Sequence, residues 1–297
     1  MAAALPLLIV LDFDGTITQH DTINIIGQFA ATRNGGASGW DDIVTAYLAD
    51  HARHVAAYRP AKELRTTLEQ ELNFLESLRP IEEISAERVR ASGLFRGVWG
   101  VYGDGEGEGE WELGLLSVNW SQAFVEGVLG GNGGGDGENN GGRFTVKRVN
   151  RIRWPEGVVE GPAELGGVVM ATAQDKLDAL RALLVTAAVK GDQGEGTRGV
   201  GVQRDGGQTQ PQQQQQQQQQ GKEQERRVVY IGDSTTDLPC LMEASTGIIM
   251  ADNNNSTLLK TLDRLGFDVP HVAKWKAPAR LAWASDFDEI LRSKILE

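Results

Sequence analysis

A short apolar segment near the N-terminus ends in two aspartates, and this pairing restricts the folds open to the chain. Residues 5–11 are rich in Leu, Ile and Val and are followed by a glycine turn, so they are predicted to form a buried β-strand. Asp12 and Asp14 follow in the sequence DFDGTIT. Side chains at i and i+2 on a strand point to one face, so both carboxylates can reach one small ligand. Ligands bind at this edge of open α/β sheets.

Two later segments repeat this pattern of an apolar strand that ends in polar residues. Residues 111–116 are predicted to form a strand that closes on Ser117, and residues 227–231 lead into GDSTTD, which contains Asp233 and Asp237. Strands that alternate with helices predict an α/β fold with a mostly parallel sheet. The other predicted strands are residues 144–152, nearer the edge of the sheet, and 247–250.

Residues 19 to about 100 are predicted to be helical, which places an all-helical segment directly after the first strand. Two readings of this segment are open: a cap over the carboxylates, or a helical bundle that only adds stability. The periodic apolar residues predict helices over 23–31, 40–58, 63–78 and 84–91, with Pro60 and Pro80 as helix stops.

Two polar residues at predicted helix starts are candidates for anion binding. Ser117 offers a hydroxyl and nearby backbone N–H groups to an anion, although a plain helix cap uses the same residue type. Lys176 lies in the first turn of a predicted helix over 175–184, where a cation opposes the helix macrodipole. This unfavourable placement points to a function, but surface lysines near helix starts are also common.

Charge and cysteine content limit the partners and the compartment. The chain has 41 acidic and 29 basic residues and a formal net charge of −12, which argues against nucleic-acid and anionic-membrane binding, because both need a basic surface. The single cysteine, Cys240, fits a reducing compartment and is predicted to be a buried, inert thiol rather than a nucleophile. Residues 1–11 lack the features of a signal peptide, and no run reaches the roughly 18 apolar residues of a membrane span. The cytoplasm is the predicted location.

Three polar segments are predicted to be flexible or disordered. They are residues 103–110, 130–142 and 191–224. The last contains nine consecutive glutamines and lacks the apolar residues that would offset the entropy cost of ordering. It is interpreted as a tolerated loop expansion within a domain, with a polyglutamine interaction segment as the alternative.

The four polar positions follow one another in a distinctive order: DxDGT, a strand closing on Ser, a helix-start Lys, and GDSxxD. In this order the sequence closely resembles the haloacid dehalogenase superfamily. The helical insert resembles the C1-type cap of the phosphoserine-phosphatase-like branch, and SVNWS at 117–121 resembles fungal members. DFDGTIT is similar to enzymes that act on small sugar phosphates, including methionine-salvage phosphatases. The resemblance implies a Rossmann-like core at residues 1–20 and 111–297, with a helical cap domain at 21–102.

The resemblance also implies a role for each catalytic residue. Asp12 resembles the nucleophile that attacks phosphorus and forms an aspartyl-phosphate. Asp14 resembles the general acid/base that protonates the leaving alkoxide and then deprotonates water. Lys176 is expected to pair with Asp12 and the phosphoryl group, which Ser117 and Asn119 are expected to bind.

A magnesium site is implied by the same resemblance. Mg²⁺ prefers hard oxygen ligands, and the expected ligands are Asp12, the backbone carbonyl of Asp14, and Asp233. Asp237 is expected to act on the metal directly or through another group. Without a metal, so many carboxylates would repel one another and the phosphate.

The predicted function is Mg²⁺-dependent hydrolysis of a small phosphomonoester, in other words a phosphatase of small phosphorylated metabolites. By resemblance, dehalogenating members lack a second aspartate and transport ATPases have Thr there, so Asp14 favours hydrolysis. A phosphomutase or phosphotransferase of the same family is one alternative. The other is a catalytically idle regulatory or scaffold protein that binds partners through the Gln-rich segment.

Overall fold

The computed structural model describes residues 7–34, 38–92, 112–129, 144–153, 156–192 and 226–297. The segments predicted to be flexible at 103–110 and 130–142 lie outside the described residues, and so does the segment predicted at 191–224, apart from its first two residues. Within the described ranges the chain forms a six-stranded parallel sheet, a two-stranded antiparallel ribbon and helices that follow most strands.

The sheet places the first strand at its centre. Its order is β3-β2-β1-β6-β7-β8, and every neighbouring pair is parallel, which confirms the predicted α/β class. Because β2 and β6 flank β1, the polar residues that follow these three strands meet at one edge of the sheet. The strands in the described part of the chain are β1 (Leu8–Leu11), β2 (Glu112–Ser117), β3 (Phe144–Val149), β4 (Arg151–Arg153), β5 (Val158–Glu160), β6 (Val228–Gly232), β7 (Thr246–Met250) and β8 (Leu281–Ala284).

The helices divide into two groups along the chain. Among the described residues, the helices between β1 and β2 are α1 (Ile23–Arg33), α2 (Ser38–Ala57), α3 (Leu68–Glu76) and α4 (Arg79–Ser92). The others follow later strands: α5 (Gln122–Leu129), α6 (Ala173–Asp192), α7 (Leu238–Glu243), α8 (Thr257–Arg264) and α9 (Phe287–Arg292). None of the described helices combines the length and the apolar character that crossing a membrane requires.

Apolar side chains cover both faces of the sheet. Leu8 and Val10 point into one cluster with residues of α6, α7 and α8, and Ile9 and Leu11 point into the other, with residues of α9. A strand buried on both faces is apolar throughout, which explains the unbroken run in β1. Helices α1, α2 and α4 share a separate cluster, whereas Phe74 of α3 joins the first sheet cluster. The helical segment is thus packed both on itself and on the sheet.

The predicted helix over 63–78 is wrong in its first part. Lys62–Leu64 form a single 3-10 turn, and α3 begins after Thr67. The Thr67 hydroxyl accepts a hydrogen bond from the Gln70 backbone, and the Gln70 side chain accepts one from the Thr67 backbone, so a reciprocal cap sets this start. Pro80, predicted as a stop, lies in the first turn of α4, where a missing N–H costs nothing.

The predicted strand over 144–152 is two strands. Its first part, β3, lies at the edge of the main sheet as predicted, while β4 pairs with β5 in the separate ribbon. The break falls at the fully buried Asn150. Its amide donates to the carbonyl oxygens of Val118 and Met170, and its Oδ1 accepts from the Met170 backbone N–H.

Candidate active site

Lys176 lies between two carboxylates at the carboxyl edge of the sheet. Its Nζ is 2.7 Å from Asp12 Oδ1 and 2.5 Å from Asp237 Oδ1, and its side chain is completely buried. Burial lowers the pKa of Lys176, but Asp12 and Asp237 outweigh this effect and hold the pKa above its ordinary value. The prediction that this lysine starts a helix is confirmed, because it lies in the first turn of α6. Its burial between two anions excludes the alternative of a surface lysine.

Three carboxylates crowd around this ammonium group. Asp12, Asp233 and Asp237 each offer an oxygen, and these oxygens lie within 4.8 Å of one another. Burial and the neighbouring Asp237 raise the pKa of Asp12 well above its ordinary range, and the same two causes raise the pKa of Asp233 to about 6. The group therefore holds more negative charge than Lys176 alone can balance. This excess of hard anionic oxygen fits a divalent metal ion.

Asp237 is held by hydrogen bonds to both of its oxygens. Oδ1 accepts from Lys176 and from the Tyr230 hydroxyl at 2.7 Å. Oδ2 accepts from the backbone N–H groups of Asp233 and Ser234 and from the Ser234 hydroxyl at 2.9 Å. Burial raises the pKa of Asp237, but Lys176 and these donors lower it overall. The side chain thus orients its neighbours, and each of its oxygens is already engaged.

The turn after β1 approaches Asp233 through two residues to which the sequence assigns no role. Gly15 has φ of 74°, in the left-handed region that favours glycine, and a Cβ there would overlap the Asp233 carboxylate. The Thr16 hydroxyl donates to Asp233 Oδ1 at 3.2 Å. The Gly-Thr pair of DFDGTIT therefore brings the end of β1 against the end of β6.

Asp14 is tied to the helical segment and to the residues after β2. Its Oδ1 accepts from the Thr22 backbone N–H at 2.8 Å and from the Thr22 hydroxyl at 2.5 Å, and its Oδ2 accepts from Asn119 Nδ2 at 2.8 Å. Asn119 Nδ2 also donates to the Thr22 hydroxyl at 3.1 Å. Both amide hydrogens of Asn119 are therefore committed within the protein, and phosphate binding by this side chain stays a prediction.

Ser117 ends β2 beside β1 and is almost fully buried. The pairing of Leu11 with Leu115 places Ser117 one residue beyond the level of Asp12. Its Oγ accepts from the Asn119 backbone N–H at 3.1 Å, so its hydroxyl hydrogen is left to donate. Cys240, by contrast, is buried in α7 as predicted, and burial raises the pKa of its thiol, which suits an inert residue.

The structure therefore gathers most of the predicted site residues and adds several that sequence reasoning missed. Asp12, Lys176, Asp233 and Asp237 surround one centre. The missed residues are Thr16, Thr22 and Tyr230, each of which holds one of the aspartates. Thr16 lies inside the DxDGT motif, and this was the one available signal. In the sequence, Thr22 resembles an ordinary helix cap and Tyr230 an ordinary core residue of a strand, so neither pattern indicates a role in the site.

A parallel sheet with helices inserted after its first strand, and with aspartates after β1 and β6, defines the class of fold. It is an α/β fold built on a parallel sheet, as the resemblance to the haloacid dehalogenase superfamily implies. No family model and no curated protein matches the chain.

Several solved structures are similar to this chain at low identity. One is a phospho-aspartyl intermediate analogue of phosphoserine phosphatase, with 15% identity, coverage of 96% of this chain and 97% of that chain, and a TM-score of 0.40. A protein of unknown function from Bordetella pertussis Tohama I has 15% identity, coverage of 89% and 97%, and a TM-score of 0.42. A phosphoserine phosphohydrolase-like protein from Francisella tularensis has 13% identity, coverage of 97% and 99%, and a TM-score of 0.38. Similarity at this level carries no inference about substrate or mechanism.

Proposed function

We propose that this chain is a cytoplasmic Mg²⁺-dependent phosphatase that hydrolyses a small phosphorylated metabolite through an aspartyl-phosphate on Asp12. The observation that carries the proposal is the buried Lys176 between Asp12 and Asp237, beside Asp233. Buried ion pairs are weak sources of stability, because the cost of desolvating the charges offsets their attraction. A polar cluster of this kind, at the edge of the sheet where ligands bind, is better explained by phosphoryl-transfer chemistry.

The first step is attack by the Asp12 carboxylate on phosphorus. A bond forms between an Asp12 oxygen and phosphorus, the bond to the leaving alkoxide breaks, and protonated Asp14 gives its proton to that alkoxide. In the second step water attacks the phosphorus of the aspartyl-phosphate, Asp14 takes a proton from the water, and Asp12 leaves as a carboxylate. Asp14 Oδ2 accepts one hydrogen bond from the described residues and Oδ1 accepts two, so we assign the proton to Oδ2.

Ser117 and Lys176 bind the phosphoryl group in this proposal. The Lys176 ammonium offsets the charge on the phosphoryl oxygens, and the Ser117 hydroxyl donates to one of them. Both side chains are buried, so their interactions with the phosphoryl group are screened less by water. The Asn119 amide also holds Asp14 and Thr22, so its side chain would bind the phosphate by exchanging one of these two hydrogen bonds.

The donor set fits magnesium. Asp12 and Asp233 would hold the ion, together with the backbone carbonyl of Asp14, and all three offer hard oxygen. Asp237 would keep these ligands in place, because its own oxygens already accept five hydrogen bonds. Magnesium bound there would neutralise the crowded carboxylates and polarise the phosphoryl oxygens.

Phosphate release from a panel of small phosphomonoesters tests the proposal. The wild type is assayed with magnesium and with EDTA, beside Asp12→Asn and the control Asp252→Asn, which changes an exposed aspartate after β7. We expect release that requires magnesium, a loss of about 10³-fold or more in Asp12→Asn because the nucleophile is gone, and normal release from Asp252→Asn. Release that persists in EDTA, or substantial activity in Asp12→Asn, would contradict the proposed mechanism.

A further inference from the structure

An arginine from the helical segment binds the start of the helix that carries Lys176. Arg79, the first residue of α4, binds both oxygens of Asp175, with Nη2 to Oδ1 at 2.8 Å and Nη1 to Oδ2 at 3.2 Å. Nη2 also donates to the Thr172 hydroxyl at 3.1 Å. Asp175 is the residue immediately before Lys176, and 96 positions separate it from Arg79 along the chain.

Asp175 in turn determines how the chain enters α6. Its Oδ2 accepts from the backbone N–H groups of Ala171 and Thr172, each at 2.9 Å, and the Lys176 N–H donates to the Thr172 carbonyl. These bonds close the turn from which the first residues of α6 grow. An Arg–carboxylate pair with two parallel bonds fixes orientation as well as distance. Arg79 therefore stabilises the turn that sets the position of Lys176.

Lys176 needs such support. Its flexible side chain must keep Nζ within hydrogen-bond distance of both Asp12 and Asp237. It also lies in the first turn of a helix, where the macrodipole disfavours a cation and where helices fray. A displacement of about 1 Å in a reacting group can cost about 100-fold in rate.

We propose that Arg79 is a positioning residue for the phosphoryl-transfer step, acting through Asp175 on the first turn of α6 and thus on Lys176. The inference rests on the proposed function, because it assigns Arg79 to that same site. It makes part of the helical segment necessary for the alignment of the site.

A matched variant separates positioning from general stability. Arg88 also lies on α4, pairs with Asp50 at 2.6 Å and has a side chain 34% exposed, against 30% for Arg79, but Asp50 belongs to α2 and not to α6. Arg79→Gln and Arg88→Gln therefore each remove an ion pair between α4 and another helix, and Arg79→Gln also removes the pair of Arg79 with Glu76, three residues earlier. Only Arg79→Gln removes a contact with the turn before Lys176.

The test combines steady-state kinetics with backbone amide exchange. We expect Arg79→Gln to lower kcat by about 10- to 100-fold with KM within about twofold of wild type, and Arg88→Gln to leave both within about twofold. Arg79→Lys, which keeps the charge but loses the double contact, should recover part of the lost kcat. Amides at 171–177 should exchange faster in Arg79→Gln and at the wild-type rate in Arg88→Gln.

The possible results distinguish a failure of the positioning role of Arg79 from a failure of the proposed phosphatase function. An active wild type with equal kcat values for Arg79→Gln and Arg88→Gln would overturn the positioning role alone. Loss of kcat in Arg79→Gln with unchanged exchange at 171–177 would also overturn it, because the turn would then not be the route. A folded wild type without magnesium-dependent phosphate release would overturn the proposed function, and the role of Arg79 in that reaction with it.

Discussion

At the scale of single residues, Tyr230 shows how a core position can serve the site. Its side chain is completely buried on β6, and its hydroxyl donates to Asp237 Oδ1, the oxygen that also accepts from Lys176. Burial raises the pKa of Tyr230 well above its ordinary value, so the phenol stays protonated and remains a donor. Two donors on one oxygen fix the carboxylate more tightly than one. Removing the hydroxyl leaves Lys176 as the one donor to Asp237 Oδ1 among the described residues.

Tyr230→Phe should therefore weaken both stability and catalysis. We expect a loss of about 1–2 kcal/mol in the free energy of unfolding, since a hydrogen bond to a charged group is lost and a buried carboxylate loses a partner. Turnover should fall by about tenfold, because Lys176 is then paired with a less rigid anion. Urea unfolding and phosphatase kinetics measure the two effects, with Tyr58→Phe in the helical segment as the control. Equal stability and turnover in the two variants would contradict this role.

Most of the site residues that could be predicted from the sequence directly follow a buried strand. Asp12, Asp14 and Asp233 stand out because charged side chains directly after apolar runs have few structural uses. Tyr230 gives no such signal, since a tyrosine within a buried strand is ordinary core. Its role depends on a contact with Asp237, seven positions away, that appears only once the strand ends and the following turn folds back.

At the scale of elements, a buried ionic cluster joins the helical segment to the sheet domain. Glu71 on α3 accepts from Arg65 and from Arg264 of α8, each at 2.9 Å, and Glu71 and Arg65 are both about 2% exposed. The Arg65 guanidinium also lies 3.9 Å from the centre of the Phe74 ring. One carboxylate thus balances two guanidinium groups between α3 and α8. Because the cost of desolvating buried charges offsets their attraction, we expect the intact cluster to add little net stability.

Glu71→Gln should destabilise the protein, because it leaves two buried or half-buried guanidinium groups without a counter-charge. The expected cost is about 3 kcal/mol in the free energy of unfolding, a value typical of breaking a buried pair from one side. Thermal and urea unfolding measure it against Glu69→Gln, an exposed carboxylate on the same helix. A cost below about 1 kcal/mol relative to that control would show that water already screens the cluster.

Helices and strands could be predicted from the sequence where their periodic apolar pattern is long. They could not be predicted where a local cap or a tertiary contact determines where the element begins. The 3-10 turn at Lys62–Leu64 carries the same apolar spacing as a helix, and only the reciprocal cap at Thr67 shows where α3 begins. The sequence patterns predicted nothing after Met250. There, β8 has only four residues, Leu-Ala-Trp-Ala, which is too short to show a period of two, and its pairing with β7 defines it as a strand.

At the scale of the whole molecule, the site costs stability when no metal balances its charge. The pKa of Asp233 is about 6, against 3.8 for an unperturbed aspartate, so the folded protein holds a proton there more tightly than the unfolded chain does. With a raised pKa, the stability contributed by protonated Asp233 is present below about pH 4 and is lost as the pH rises through about 6. Above pH 6 the ionised carboxylate therefore works against folding in the metal-free protein.

Asp233→Asn should consequently make the metal-free protein more stable at pH 7. One pKa unit corresponds to about 1.4 kcal/mol, and with allowance for the partial exposure of Asp233 the expected gain is about 2 kcal/mol. The gain should shrink as the pH falls below 6 and vanish near pH 4. Magnesium should reverse the order, stabilising the wild type and not the variant, because the variant lacks a ligand. Thermal unfolding in EDTA and in magnesium across this pH range, beside Asp252→Asn, measures both effects. A variant no more stable than wild type in EDTA, or equally stabilised by magnesium, would show that Asp233 is neither the strained carboxylate nor a ligand.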